Sequence, residues 1–80
     1  MPAISMFDVI AVKTLPDYWL FLTFENNEQK RFDMKPYLNG TAFQPLKNVG
    51  FFNLARIDYG TVVWSDDIDI APETLYQLSI

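Results

Sequence analysis

The sequence predicts an α+β protein with a small mixed or mainly antiparallel sheet of about five strands, a C-terminal helix and a short helical turn. Three observations support this fold class. Short apolar segments alternate with turn residues, as in β-hairpins. A proline opens an apolar segment near the C-terminus, as at many helix starts. Hydrophobic residues make up 50% and aromatic residues 16% of only 80 residues, which is enough for a core without disulfides. We therefore expect residues 1–80 to form a single domain.

Two strands are predicted in the first part of the chain. Met6–Lys13 (MFDVIAVK) alternates in the manner of a strand and would place Val9 and Ala11 on one face. Leu15-Pro16-Asp17 then ends this strand. Tyr18–Phe24 (YWLFLTF) is apolar at almost every position, which is typical of a central strand that is covered on both faces.

A hairpin is predicted to join this second strand to a third one, Glu28–Asp33. Asn26-Asn27 favours a two-residue type I′ turn, because asparagine tolerates the positive φ that this turn requires. Such a turn pairs Phe21 with Phe32. The predicted register therefore places Trp19 on the same face as these two phenylalanines.

A short helical turn is predicted at Asp33–Leu38, where Asp33 can accept hydrogen bonds from the first free amides. Asn39-Gly40 would end it. The next segment contains Pro45 and Gly50, which interrupt any long helix. Its aromatic residues favour a packed loop or a single turn that covers one end of the sheet.

A second hairpin is predicted around Tyr59-Gly60, with strands Leu54–Asp58 and Thr61–Trp64. Its common face would carry Ala55, Ile57, Val62 and Trp64. Ile68–Ile70 is a further short strand. Pro72 suits the first position of the terminal helix, whose apolar stripe would consist of Leu75, Tyr76 and Leu78.

Several classes of chemistry lack the residues that they need. The chain has no cysteine and no histidine, so it cannot form a disulfide, a thiolate nucleophile, a Ser-His-Asp triad or an ordinary zinc site. Its three glycines are dispersed and form no phosphate-binding loop. We expect a protein that is not an enzyme and that holds no cofactor and no metal. The lack of disulfides, of a signal peptide and of a membrane-length apolar segment favours the cytoplasm and no membrane association.

The overall charge is negative. Ten acidic and six basic residues give a net charge of −4, whereas binding to a phosphate backbone depends on clustered lysine and arginine. Direct nucleic-acid binding is therefore not expected. The net charge favours solubility, or association with a basic partner.

An acidic cluster lies just before and inside the start of the last helix: Asp66, Asp67, Asp69 and Glu73. Carboxylates this close can hold a hard cation or share a proton, which makes a cation-binding or small-molecule site one hypothesis. An EF-hand loop that begins at Asp67 is excluded. Ala71 would occupy its fifth position, which needs an oxygen ligand, and Pro72 its sixth, which needs glycine. The alternative is a solvated turn in which Asp69 reaches the first amides of the helix.

Aromatic residues on the predicted sheet are candidates for an interaction surface: Trp19, Phe21, Phe32 and Trp64. Aromatic side chains are enriched at interfaces, although these four, together with Ile57 and Val62, are also the residues predicted for the core. The chain offers little helix to cover an apolar sheet, and uncovered apolar surface marks association sites. The leading hypothesis is a protein-interaction module, either a homodimer or the acidic member of a pair with another small protein.

Motifs along nearly the whole chain resemble one bacterial family: Leu22-Thr23-Phe24 with Asn26, Phe32-Asp33 with Pro36 and Leu38, then Gly40, Phe43, Leu46 and Phe52, and finally Trp64 with Asp69-Ile70, Pro72-Glu73 and Leu75-Tyr76. It is the domain-of-unknown-function family number twenty-four forty-two. The chain departs from its pattern at Ser65, Asp66 and Asp67, where Pro-Asn-Gly is usual, and at Asn27, where glycine is common.

The resemblance implies a compact α+β fold, a bacterial cytoplasmic origin and no established activity. Some relatives look fused to a helix-turn-helix domain, and the DNA-binding half of those proteins has no counterpart in this sequence. Stand-alone relatives are often encoded beside another small protein, an arrangement suggestive of a toxin–antitoxin-like pair.

Overall fold

The computed structural model describes residues 8–80. Three strands form the first antiparallel sheet in the order β1-β2-β3: β1 Val9–Leu15, β2 Trp19–Phe24 and β3 Gln29–Asp33. Three more form a second antiparallel sheet in the order β4-β5-β6: β4 Arg56–Asp58, β5 Thr61–Ser65 and β6 Ile68–Ile70. Helix α1, Val49–Phe52, lies between the two sheets in sequence, and helix α2, Pro72–Leu78, follows the second sheet. Short 3₁₀ helices lie at Pro16–Tyr18, Lys35–Tyr37 and Thr41–Lys47.

The predicted α+β class is confirmed, but the strand arrangement differs. The described residues contain six strands in two sheets, whereas the sequence predicted about five strands in one sheet. Each sheet is a meander of sequence neighbours. The segment between them, residues 34–55, contributes Leu46 and Phe52 to the core, and it separates β3 from β4.

The pairing of β1 with β2 is interrupted at Ile10. Val9 and Ala11 pair with adjacent residues of β2, so one extra residue bulges out of β1. Val9 and Val12 therefore lie on the same face, while Ala11 is exposed. The prediction that Val9 and Ala11 share a face is wrong because of this bulge. Residues 6 and 7 of the predicted strand lie outside the described part of the chain.

The predicted break after β1 is confirmed as the 3₁₀ turn Pro16–Tyr18. Asp17 and Tyr18 have φ values of 65° and 64°, in the left-handed region that costs roughly 1–2 kcal/mol per non-glycine residue. Tyr18 consequently belongs to the turn, and β2 begins at Trp19.

The loop between β2 and β3 has three residues instead of the predicted two. The Phe24 N–H donates to the Glu28 carbonyl at 2.8 Å, and the Asn27 N–H donates to the Phe24 carbonyl at 2.9 Å. Asn27 has a φ of 70°. This geometry is that of a type I turn followed by a left-handed residue.

The longer loop shifts the register by one residue. Phe32 pairs with Leu20, and Phe21 pairs with Arg31. A one-residue shift moves a side chain to the opposite face of a sheet. The prediction that Trp19, Phe21 and Phe32 share a face is therefore wrong.

The second hairpin follows the prediction closely. Tyr59 and Gly60 have φ values of 53° and 76°, as both central positions of a type I′ turn require. Ile57 pairs with Val62, which is the predicted register. The first strand is shorter than predicted and begins at Arg56.

The predicted C-terminal elements are also present. Strand β6 and the helix start at Pro72 are confirmed. Leu75 is fully buried, but Leu78 is 59% exposed, so it does not belong to the apolar stripe of α2. After the helix, Ile80 and Arg31 exchange two backbone hydrogen bonds of 2.7 and 2.8 Å at the outer edge of β3. The helices of residues 8–80 have at most seven residues, and none is long enough to cross a bilayer.

One cluster of buried side chains connects both sheets with the helical segments. Phe32, Val62 and Trp64 belong to it, as predicted. Ile57 is half-buried against this cluster, whereas Trp19 and Phe21 are neither members of it nor packed against it.

Candidate functional site

The first sheet presents one face to the core and one away from it. Along β2, buried and half-buried residues alternate strictly, so Trp19 and Phe21 project from the side opposite to Leu20 and Leu22. We call this side the outer face. The pairing gives it three cross-strand rows of three residues: Ala11, Thr23 and Gln29; Lys13, Phe21 and Arg31; Leu15, Trp19 and Asp33.

The middle row places an aromatic ring between two cations. Phe21 pairs with Lys13 on one side and with Arg31 on the other, and both charged residues are exposed. Directly opposed side chains of an antiparallel pair are about 5 Å apart at Cβ. Within residues 8–80, neither Lys13 nor Arg31 takes part in a salt bridge, so both charges are available to a ligand.

Trp19, in the next row, already carries cations over its ring. The Lys35 Nζ lies 5.0 Å from the ring centroid and the Arg31 Cζ lies 5.9 Å from it, both within the range of cation–π attraction. Lys35 also forms salt bridges of 3.1 Å with Asp33 and 3.2 Å with Asp17. These contacts hold the indole in a defined position.

Lys35 is the charged centre of this arrangement. Desolvation acts to lower the pKa of Lys35, but hydrogen bonds to Asp33 and Asp17 outweigh it and raise the pKa above its ordinary value. Lys35 is therefore protonated at neutral pH. The predicted role of Asp33 at the start of the helical turn is confirmed as well, because its Oδ1 accepts a hydrogen bond from the Lys35 N–H at 2.9 Å.

The left-handed turn before β2 positions these groups. Tyr18 donates its hydroxyl hydrogen to the Lys47 carbonyl, and its ring meets Phe52 edge-on with centroids 5.0 Å apart. Asp17 is held by Lys35. Anchors on both sides stabilise a strained backbone that would otherwise relax. The same turn lines a cavity of about 300 Å³ beside α1.

Only two of the four predicted interface residues reach the surface in the described chain. Trp19 and Phe21 lie on the outer face. Phe32 is 1% exposed and Trp64 is 2% exposed, so neither contributes to a surface of the folded chain. Phe32 is buried because of the register shift, and the Trp64 indole N–H donates to the Phe52 carbonyl at 2.9 Å inside the core.

Sequence reasoning missed the basic residues of this surface. Lys13 and Arg31 flank Phe21 only in the observed register. Lys35 is four residues from Arg31 along the chain, and the turn at Lys35–Tyr37 brings it over Trp19. Their alignment with Phe21 depends on the length of the β2–β3 loop, which the sequence alone does not specify.

The acidic cluster is spread over exposed positions. Asp66 and Asp67 lie in the turn between β5 and β6, Asp69 lies on β6 and Glu73 lies in the first turn of α2, and all four are exposed. Asp66 and Asp69 line a depression of about 190 Å³ together with Asp58. No group of three or more potential metal ligands converges within residues 8–80.

Asp69 does not cap the last helix. The N-cap position is Ala71, and no side chain accepts a hydrogen bond there. Asp66 and Asp67 thus lie in a solvated turn, as the alternative to a cation site predicted. The predicted contact of Asp69 with the first helix amides is wrong, because Asp69 lies on β6 and pairs with Val63.

Comparison with known proteins gives one match. The model of the family described as "Protein of unknown function (DUF2442)" matches residues 9–80, a range that includes all six strands and both α-helices. This confirms the family resemblance seen in the sequence motifs. Neither the curated proteins nor the solved structures contain a match to this chain.

Proposed function

The chain belongs to the DUF2442 family, whose description assigns no activity, and we propose that this member is a protein-interaction module that binds its partner through the outer face. The partner is a second copy of the chain or another small protein. We place this activity in the bacterial cytoplasm, a reducing compartment that suits a chain without disulfides. The module has no catalytic role and needs no cofactor.

The position of Trp19 and Phe21 is the observation that carries this proposal. A sheet with one solvated face normally presents polar residues on it, yet the central strand here presents two large aromatic residues away from the core. Tryptophan and arginine are among the residue types most enriched in binding hot spots, and phenylalanine is enriched at interfaces. Covering them with a partner removes apolar surface from water and stabilises the complex.

Gentle purification of the tagged protein from its own cells, followed by size-exclusion chromatography with light scattering, tests the proposal. We expect a dimer or a stoichiometric companion protein. Phe21→Thr should abolish the association, because it removes the ring and keeps a residue that favours strands. Leu54→Thr is the matched control, since Leu54 is 59% exposed and lies away from the outer face.

Circular dichroism must show that both variants are folded. A wild-type protein that elutes alone at the mass of one chain, 9.3 kDa plus the tag, contradicts the proposal. So does a complex that survives Phe21→Thr unchanged.

A further inference from the structure

We infer that the outer face binds an acidic, extended segment of another protein rather than a second copy of this chain. The inference rests on the proposed function and specifies the chemistry of the partner. It follows from the charges around Phe21, from the area of the face and from the two cations that lie over the Trp19 ring.

The local charge of the outer face is opposite to the charge of the whole chain. The chain carries a net charge of −4, but three of its six basic residues are at this face: Lys13, Arg31 and Lys35. The two side-chain carboxylates near this face, Asp17 and Asp33, both bind Lys35. Lys13 and Arg31 are left to select a partner of complementary, negative charge.

The spacing of these two cations describes the segment that fits. Lys13 and Arg31 lie on strands either side of β2, and strands two positions apart are about 10 Å apart, a distance spanned by about three residues of extended chain. In a polyproline II segment, which repeats every three residues with a rise of about 3.1 Å per residue, two carboxylates three residues apart lie on the same side, about 9 Å apart, and would reach both cations. Apolar residues between them would cover Phe21.

A second copy of the chain fits this face poorly. In a two-fold dimer centred on Phe21, the same patch meets itself, which brings Lys13 and Arg31 of one copy towards those of the other. Like charges at an interface are costly. Moreover, three strands of about five residues cover on the order of 200 Å², whereas stable interfaces bury about 800 Å² per partner. The face has the size of a peptide site.

Single-stranded nucleic acid is also a poorer occupant. Such ligands stack their bases on aromatic rings, and the Trp19 ring already carries Lys35 at 5.0 Å and Arg31 at 5.9 Å. Arg31 can receive a carboxylate while it remains over the indole.

Titration of the full chain with defined peptides tests the inference. The probe is the peptide Gly-Glu-Val-Val-Glu-Gly, and its counterpart Gly-Lys-Val-Val-Lys-Gly is the control, each added to about 1 mM and followed by amide NMR shifts and tryptophan fluorescence. We expect shifts at outer-face residues with the glutamate peptide, and responses at least about tenfold smaller with the lysine peptide. Added salt should weaken the binding.

Charge reversal identifies the residues responsible. Lys13→Glu combined with Arg31→Glu should weaken binding of the glutamate peptide at least about tenfold. Lys47→Glu combined with Arg56→Glu is the matched control, because it changes the net charge by the same amount and both residues are exposed outside the outer face. Equal loss in both variants would indicate a general effect of net charge and would contradict the inference.

Other outcomes separate this inference from the proposed function. No response to the glutamate peptide, shifts confined to another surface, or tighter binding of an oligothymidine would overturn the acidic-segment inference. If a complex that depends on Phe21 nevertheless forms in cells, the proposed function stands with a different partner. If no association depends on Phe21, both fail.

Discussion

Two phenylalanines on neighbouring strands of the first sheet have opposite environments. Phe32 is 1% exposed and stacks on Tyr37 with ring centroids 5.4 Å apart. Phe21 lies on the outer face between Lys13 and Arg31. Removal of a buried ring leaves a cavity as well as losing transfer free energy, whereas a half-buried ring on a solvated face loses mainly cross-strand contacts. The two positions therefore differ in what they contribute to folding and to binding.

We predict that Phe32→Ala lowers the free energy of unfolding by about 3–5 kcal/mol, and that Phe21→Ala lowers it by about 1 kcal/mol. Urea denaturation of both variants measures this difference. The pair is its own control, since the residue type and the substitution are the same. Equal losses would contradict the observed register of β2 and β3.

At the level of elements, polar contacts attach helix α2 to the β2–β3 hairpin. Tyr76 donates its hydroxyl hydrogen to Glu28, and the Asn26 side-chain amide donates to the same carboxylate at 2.6 Å. Lys30 donates to the Tyr76 carbonyl at 3.3 Å and lies 4.0 Å from the centre of its ring. The helix is short, and isolated helices of this length are not stable in water. Its position therefore depends on these contacts and on the burial of Leu75.

The docking of α2 should weaken in acid. The hydrogen bond from Tyr76 lowers the pKa of Glu28; desolvation opposes this, and Asn26 and Lys30 add to the lowering. A carboxyl group with a lowered folded-state pKa contributes stability above its ordinary pKa of 4.5, and this contribution is lost as the pH falls through the folded-state value.

We therefore predict that the melting temperature falls more steeply in wild type than in Glu28→Gln between about pH 7 and about pH 3. Calorimetry at several pH values measures the difference. Glu25→Gln is the control on the same loop, and it should follow wild type. Parallel curves for wild type and Glu28→Gln would show that Glu28 does not stabilise the docked helix.

Over the whole molecule, charge is distributed unevenly between the two sheets. The outer face of the first sheet carries Lys13 and Arg31, which form no salt bridge among the described residues. The second sheet instead presents carboxylates around its depression, contributed by Asp58, Asp66 and Asp69. Such an arrangement orients a charged partner as it approaches. The net charge alone favoured solubility or a basic partner, whereas the local charge at the outer face favours an acidic partner.

The carboxylates around this depression also allow a test of the hypothesis that the acidic cluster binds a cation. This hypothesis rests on the sequence alone. Because the carboxylates of the cluster are exposed and do not converge within residues 8–80, we expect no change in melting temperature on addition of calcium or magnesium to about 1 mM. Thermal unfolding followed by fluorescence measures this. A saturable increase that disappears in Asp66→Asn and Asp69→Asn, but not in Glu73→Gln, would establish a site at the depression.

The sequence by itself determined the features that depend on neighbouring residues. Tyr59-Gly60 located a two-residue turn, because glycine tolerates a positive φ, and the position of this turn set the register of β4 and β5. Pro72 marked the start of α2 because its ring suits the first helical position. Asp33 could be assigned to a local turn contact. Residue type alone made Trp19 and Phe21 candidate binding residues, but it equally selected Phe32 and Trp64, which are buried.

The tertiary structure decided which side each residue of the first sheet faces. One extra loop residue at Asn27 and one bulge at Ile10 each reverse the faces of a strand segment, and burial of the apolar inner face selects between such alternatives. The register selected in this way buries Phe32 in the core and aligns Lys13 and Arg31 with Phe21. The composition of the outer face, and thus its charge, follows from long-range packing that no local pattern in the sequence specifies.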